Sequence, residues 1–125
     1  MSQAANAFST IVHLQASGTI SAHHFVTMST TKVVQATVAN TAIGVLAQAD
    51  DAADGDIVPI CVMGACKVMA TATSAISIGS YIASADTTGH AVPDSSAGDH
   101  IQGMALEALA SGSAVIQMLV YPSQG

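Results

Sequence analysis

From Ile20 onward, apolar and polar residues alternate along much of the chain, as in half-buried β-strands. The alternating segments are separated by turns such as Ser29-Thr30-Thr31 and by an acidic loop at 50–56. A dense apolar run, Ile57 to Met63, follows this loop. We predict a tight reversal near Gly64, from which the chain returns as a second strand.

The second half of the chain carries similar signals. Residues 73–78 are compatible with one short helical turn, which Gly79 would end. Residues 101–109 and 114–121 predict a final hairpin around Ser111-Gly112-Ser113. Gly55, Gly79 and Gly112 each stand just before a strand of β-branched or aromatic residues, where glycine permits a positive φ.

The composition favours strands over helices. Val, Ile and Thr number 33, whereas Leu, Glu, Lys and Arg together number eight, and branching at Cβ suits a pleated strand. We therefore predict an all-β fold, a small barrel or sandwich of about 8–10 short strands with at most one short helix. We expect an extended N-terminal arm over residues 1–18, a single β domain over 19–122 and a loose tail over 123–125.

Charge narrows the classes of partner. The 125 residues include two lysines, no arginine and eight acidic residues, for a net charge of -6. This balance argues against nucleic acid and against an anionic membrane surface as partners. Charged residues make up only 8% of the chain, against about 25% in a typical soluble domain. We expect a surface that oligomerisation or a larger partner covers; the alternative is a monomer with a Ser/Thr/Gln surface.

No apolar run predicts a membrane-spanning helix. The longest, Ile57 to Cys66, is ten residues and contains Pro59 and Gly64, whereas a helix needs about 20. The N-terminus lacks the basic and apolar segments of a signal peptide. We therefore expect folding in a reducing cytoplasm, with both cysteines as thiols.

The cysteines and histidines are the candidates for metal or redox chemistry. The predicted reversal places Cys61 and Cys66 opposite each other. In this position the two cysteines could form a disulfide; the alternative is that both are buried as small apolar residues. A zinc site would need two further ligands. None of the histidines has the spacing of a helical metal site, although His90 and His100 flank a loop with two aspartates. The five histidines are His13, His23, His24, His90 and His100.

The carboxylates do not form a recognisable active site either. The acidic loop lacks the ligand spacing and terminal glutamate of a calcium loop, and reads as a solvated turn. Glu107 is the only glutamate, with no second carboxylate near it in sequence. No Gly-x-Ser-x-Gly elbow is present. We predict no enzyme activity, no metal and no cofactor. The aspartates of the loop are Asp50, Asp51, Asp54 and Asp56.

Six short stretches of small residues and turns occur in a familiar order between Gly18 and Val120. They are Ala-His-His-Phe-Val at 22–26, Ala-Ile-Gly-Val-Leu-Ala-Gln at 42–48, Ala-Asp-Gly-Asp-Ile-Val-Pro-Ile at 53–60, Met-Gly-Ala-Cys-Lys-Val at 63–68, Ala-Ile-Ser-Ile-Gly-Ser-Tyr-Ile at 75–82 and Ile-Gln-Gly-Met-Ala-Leu-Glu-Ala at 101–108. Because all six stretches occur in this order, the chain resembles the small head-decoration (capsid cement) proteins of tailed bacteriophages.

The resemblance implies a compact, tulip-like β domain that is not an enzyme and needs no cofactor. It implies a homotrimer on the outer surface of the expanded virion head, made in the host cytoplasm. There it would clamp neighbouring subunits of the major capsid protein. Capsid contacts in this family are not a fixed signature, so the resemblance assigns no individual site residue.

The predicted N-terminal arm supplies a candidate contact. Its apolar residues are Phe8, Ile11, Val12 and Leu14. An extended arm of this kind can add a strand to an exposed sheet edge of a capsid subunit or a second copy. The alternative is a disordered terminus.

Two other functions remain open. Lys67, close to the predicted turn, loosely resembles the modified lysine of a biotinyl or lipoyl carrier barrel, although the carrier consensus around it is absent. Another phage structural β module, a tail or fibre subunit, is also compatible with the sequence. Because the chain has no Trp, we do not expect a fibre that binds sugars.

Overall fold

The structure, a computed structural model, describes residues 9–36, 42–72, 74–84, 89–93 and 103–120. These residues contain no helix and form nine strands, which confirms the predicted all-β class. The strands are β1 (Thr10–Gln15), β2 (Phe25–Ser29), β3 (Lys32–Gln35), β4 (Gly44–Leu46), β5 (Ile57–Ala72), β6 (Tyr81–Ser84), β7 (Ala91–Pro93), β8 (Gly103–Ala105) and β9 (Gly112–Val120).

The first part of the chain forms a curled sheet in the order β3-β2-β4-β5-β1, with every neighbouring pair antiparallel. The sheet curls until Ala16, which follows β1, forms a parallel bridge with Val33 of β3. The N–H of Ser17 donates to the Val33 carbonyl at 2.8 Å. The two ends of the sheet therefore meet, and its inner face encloses a core.

The C-terminal half of β5 continues into a closed five-stranded barrel in the order β5-β7-β6-β8-β9. Its longest seam pairs β5 with β9, from Gly64 opposite Val120 to Ala72 opposite Gly112. The ring closes where Ala70 of β5 pairs in parallel with Ala91 of β7. Strand β5 is thus shared by the curled sheet and the barrel.

Two apolar cores lie on opposite faces of the curled sheet. Successive strand residues point to opposite faces, so Val26 and Leu46 enter the first core while Phe25 and Val45 enter the second. Strand β4 is consequently buried on both faces, although its sequence predicts a half-buried strand. The first core contains Ala16, Ile20, Val26, Val33, Leu46, Ala52, Val58 and Ile60. The second contains Phe25, Ala36, Val45, Cys61, Val68, Ala70, Ile76, Ile82, Ala91, Ala105, Ile116, Met118 and Val120.

The predicted reversal near Gly64 is wrong, because β5 runs through this position as one 16-residue strand. Gly64 does have a positive φ of 106°, and the register against β1 shifts between Thr10 and Ile11. Such a bulge bends a strand and changes which residues face inward. Cys61 and Cys66 therefore both pack in the second core despite their opposite parity, and they do not face each other across a hairpin.

The other predicted turns have mixed outcomes. The turn at 29–31 is confirmed: Ser29 pairs with Lys32, and Thr30 has a φ of 60°. The antiparallel pairing of β8 with β9 confirms the final hairpin. The predicted helical turn is wrong for residues 74–78, where Ile76 instead forms an antiparallel bridge with Leu109. Residues 123–125, the predicted tail, lie outside the described residues.

Candidate docking surfaces

Three of the four predicted docking residues lie in β1, and Phe8 lies outside the described residues. Strand β1 pairs with β5 of the same chain. Leu14 is half-buried against the first core, so its side chain supports the fold. Ile11 and Val12 are 39% and 36% exposed. They are therefore the arm residues that remain accessible to a neighbour.

The outer side of β1 and the start of β5 form a surface that we call the β1 face. Its members lie on one side of the two paired strands. Ile57 is 64% exposed on this side. Ile11 lies on the same side, beside Cys61 and close to the barrel. Among the described strands, the second edge of β1 is paired only at its end, through Ala16 and Val33. The β1 face consists of His13, Gln15, Ile57 and Pro59, and Ile11 adjoins it towards the start of β1.

A second apolar surface crosses the outside of the barrel, and we call it the barrel stripe. It consists of Tyr81, Met104, Leu119 and Ala65, each directly opposite the next on strands β6, β8, β9 and β5. Tyr81 is 53% exposed and Leu119 is 38% exposed. Cross-strand neighbours of this kind stand about 5 Å apart, so the stripe is continuous over four strands.

The barrel stripe is not apparent in the sequence. A signal was present in β9, whose buried residues alternate with outward-facing ones that include the apolar Val115 and Leu119. The other members come from strands far apart in sequence. Only the closed pairing of the barrel brings them into one row.

The acidic loop between β4 and β5 is a hydrogen-bonded turn. Carboxylate oxygens of Asp51, Asp54 and Asp56 accept backbone N–H groups of Ala22, Gly18 and Ala53, at 2.8, 2.8 and 2.9 Å. The side-chain amide of Gln15 donates to the Gly55 carbonyl at 3.2 Å. The loop therefore borders the β1 face and gives that end of the molecule its negative charge.

The two candidate charged residues of the barrel lie on its outside. Lys67 is exposed in the middle of β5, opposite Gln117 of β9. A carboxylate oxygen of Glu107 accepts the N–H of Gln117 at 2.8 Å. The row formed by Lys67, Gln117 and Glu107 lies next to the barrel stripe. Because Lys67 is not at a turn, its position does not favour a carrier lysine.

Two imidazoles meet where the curled sheet contacts the barrel. The rings of His24 and His90 touch edge to face, with centroids 4.7 Å apart. His24 Nδ1 donates to the Ala22 carbonyl at 2.8 Å, since a carbonyl can only accept. His90 Nδ1 lies 2.6 Å from the Thr71 hydroxyl. The contacts tie the loop before β2 to the strands of the barrel.

His23 completes this junction. Its backbone has a φ of 61°, and its carbonyl accepts the Met69 N–H at 2.8 Å. Its Nδ1 atom is buried without a hydrogen-bond partner among the described residues. Burial, the nearby Lys67 ammonium and His24 lower the pKa of His23. The junction therefore favours a neutral imidazole at this position.

We expect the free energy of unfolding to fall as the pH drops below about 6.5, where histidine titrates in an unfolded chain. The unfolded state binds the His23 proton more readily, so the stability is fully present above that pH and is lost towards the lower folded pKa. Denaturant titrations at about pH 5 and about pH 7.5 measure the difference. His23→Asn, which tolerates the positive φ, should show a smaller difference; an unchanged one contradicts this role.

Both cysteines are free thiols. Cys61 is buried and Cys66 is half-buried in the second core. Contact with the Cys61 sulfur, together with burial, raises the pKa of Cys66. Cys66 is therefore a protonated thiol at neutral pH and a poor nucleophile.

Within the described ranges, no three histidine, cysteine or acidic side chains are arranged to hold a metal ion. His100 and the two aspartates of the predicted His90 loop lie outside those ranges. The described residues also include no helix long and apolar enough to span a membrane.

Comparisons with known proteins agree with this architecture. No curated protein sequence matches the chain. The fold is similar to the crystal structure of the N base of head fiber gp8.5 in bacteriophage phi29, with a TM-score of 0.60 and 17% sequence identity, over 94% of this chain and 98% of that one. The family model of the phage cement protein matches residues 5–120, a range that includes β1. The chain therefore belongs to the phage cement proteins, the structural proteins that decorate phage heads.

Proposed function

We propose that this protein stabilises the expanded phage head from its outer surface by clamping neighbouring subunits of the major capsid protein. It acts as a homotrimer, is made in the host cytoplasm, and has no enzymatic role. The family match over residues 5–120 carries the proposal. The charge-poor sequence and two exposed apolar surfaces support it, because interface cores are depleted in charge.

Co-sedimentation of the purified protein with empty heads, before and after expansion, tests this function. We expect saturable binding to expanded heads with a fixed number of copies per capsid subunit. Absence of binding to either form contradicts the proposal. In that case tail or fibre components become the partners to test.

A fibre base is the second candidate function. The similarity of the fold to the N base of a phage head fiber favours it over the carrier alternative. Binding that saturates at a few copies per head, rather than in proportion to capsid subunits, would favour this second candidate.

For the contact itself, we propose the arm with Phe8, Ile11, Val12 and Leu14, in which Leu14 positions β1 by packing against the first core. Ile11 is the sharpest probe, because it is exposed beside the part of the β1 edge that has no partner among the described strands. Deletion of residues 2–14 is less informative, since it removes most of β1 and the packing of Leu14.

We expect Ile11→Asp to weaken binding to expanded heads by about tenfold or more, because a buried unpaired carboxylate opposes docking. The matched control is Met28→Asp on β2, where the side chain is 42% exposed. Co-sedimentation isotherms of both variants measure the effect. Equal affinity of the Ile11 and Met28 variants would refute the arm contact.

A further inference from the structure

We propose that copies of this chain associate head to tail, with the β1 face of one copy on the barrel stripe of the next. This inference rests on the self-association included in the proposed function. It assigns that association to two different surfaces of the molecule. The occupant of the barrel stripe is thus a second copy of the same chain.

The two surfaces have matching chemistry. The β1 face presents Ile57 as an exposed aliphatic side chain, at 64%. The barrel stripe presents Tyr81 and Leu119 on a row with no charged member. Exposed apolar side chains grouped in this way mark interaction sites, because burying them from water is favourable.

Charge distinguishes head-to-tail contact from pairing of like faces. The acidic loop, with four aspartates, adjoins the β1 face, since Ile57 directly follows Asp56. Two β1 faces packed with their strands running in the same direction would bring two such loops into mutual repulsion. Beside the barrel stripe stands Lys67, one of only two lysines in the chain. Glu107 lies in the same row, with its carboxylate bonded to a backbone N–H.

A head-to-tail contact oriented with the acidic loop of one copy near Lys67 of the next brings opposite charges together. Such a contact uses a different surface on each partner, so an open assembly keeps one free β1 face at one end and one free stripe at the other until the ring closes. A closed ring, such as the proposed trimer, satisfies both surfaces of every copy.

Sedimentation velocity on two variants tests the assignment in the absence of heads. Ile57→Glu disrupts only the β1 face, and Leu119→Glu disrupts only the barrel stripe. We expect each variant alone to lose at least about tenfold in association constant. Mixed together they should form heterodimers and nothing larger, because one intact pair of surfaces remains.

Three results would overturn the inference. Ile57→Glu that still associates points to stripe-on-stripe pairing, and Leu119→Glu that still associates points to pairing of two β1 faces. Wild-type protein that is monomeric at every concentration also contradicts it. Met28→Glu is the matched surface control and must associate like the wild type, and thermal melts of all variants verify that they are folded.

Head binding separates this inference from the proposed function. Monomeric wild-type protein that still co-sediments with expanded heads would retain the cement function and remove the head-to-tail assignment. Protein that forms the expected rings but binds no heads would do the opposite.

Discussion

Replacing Gly103 with alanine is expected to lower the free energy of unfolding by about 3 kcal/mol, as overpacking in a tight core does. A methyl group at this position would collide with the Leu119 carbonyl of the neighbouring strand β9 and lie 2.5 Å from Met118 Cε. The methionine side chain can move, but the carbonyl is held in the β8–β9 ladder. Denaturant unfolding of the purified variant measures the loss.

Gly18→Ala is the control for this substitution. Gly18 has a φ of 77° and open space around its Cα, so alanine there meets only the cost of a left-handed backbone, about 1–2 kcal/mol. If Gly103→Ala is no more destabilising than Gly18→Ala, the close approach of β8 to β9 is not a constraint. We also expect Gly103→Ala to weaken self-association, because the next residue, Met104, belongs to the barrel stripe.

Phe25→Ala is expected to cost about 3–5 kcal/mol, a large part of the about 5–15 kcal/mol that stabilises a typical domain. The Phe25 ring is fully buried in the second core, which otherwise consists of smaller side chains. Its backbone also joins the two parts of the molecule: its N–H donates to the Gly89 carbonyl at 2.9 Å and its carbonyl accepts the Ala36 N–H at 2.9 Å. A cavity at this point would weaken the packing between the curled sheet and the barrel.

Tyr81→Ala provides the contrasting aromatic deletion, because Tyr81 is largely exposed on the barrel stripe. We expect it to change the free energy of unfolding by less than about 1 kcal/mol while weakening self-association. Equal destabilisation by the two substitutions, measured by denaturant unfolding, would be inconsistent with the described cores.

The local turns were the most predictable parts of the fold. Ser29-Thr30-Thr31 separates two short alternating segments, and the structure forms the β2–β3 hairpin there. The glycines at 55, 79 and 112 all have the positive φ values that their positions before strands predict. These features depend on the steric limits of one or two residues, which the sequence displays directly.

The path of β5 was not predictable in the same way. Gly64 interrupts a long apolar run, and the pattern is compatible with either a hairpin or a bulged strand. The partners decide between them: β1 and β4 pair with the first half of β5, and β9 pairs with the second half. Because these partners lie up to 56 residues away in sequence, as Val120 does from Gly64, the local pattern does not contain the information.

By itself, the sequence determined the all-β class, the absence of a recognisable catalytic motif, and the resemblance to phage cement proteins. The alternation of apolar and polar residues, the β-branched residues and the low charge can each be identified directly from the residues themselves. Only the tertiary structure decided that β4 is buried on both faces, that Ile11 and Val12 belong to a sheet of their own chain, and that Tyr81 and Leu119 share one row. The physical reason is that a strand shows which residues alternate, whereas its non-local neighbours determine which of its two faces is covered.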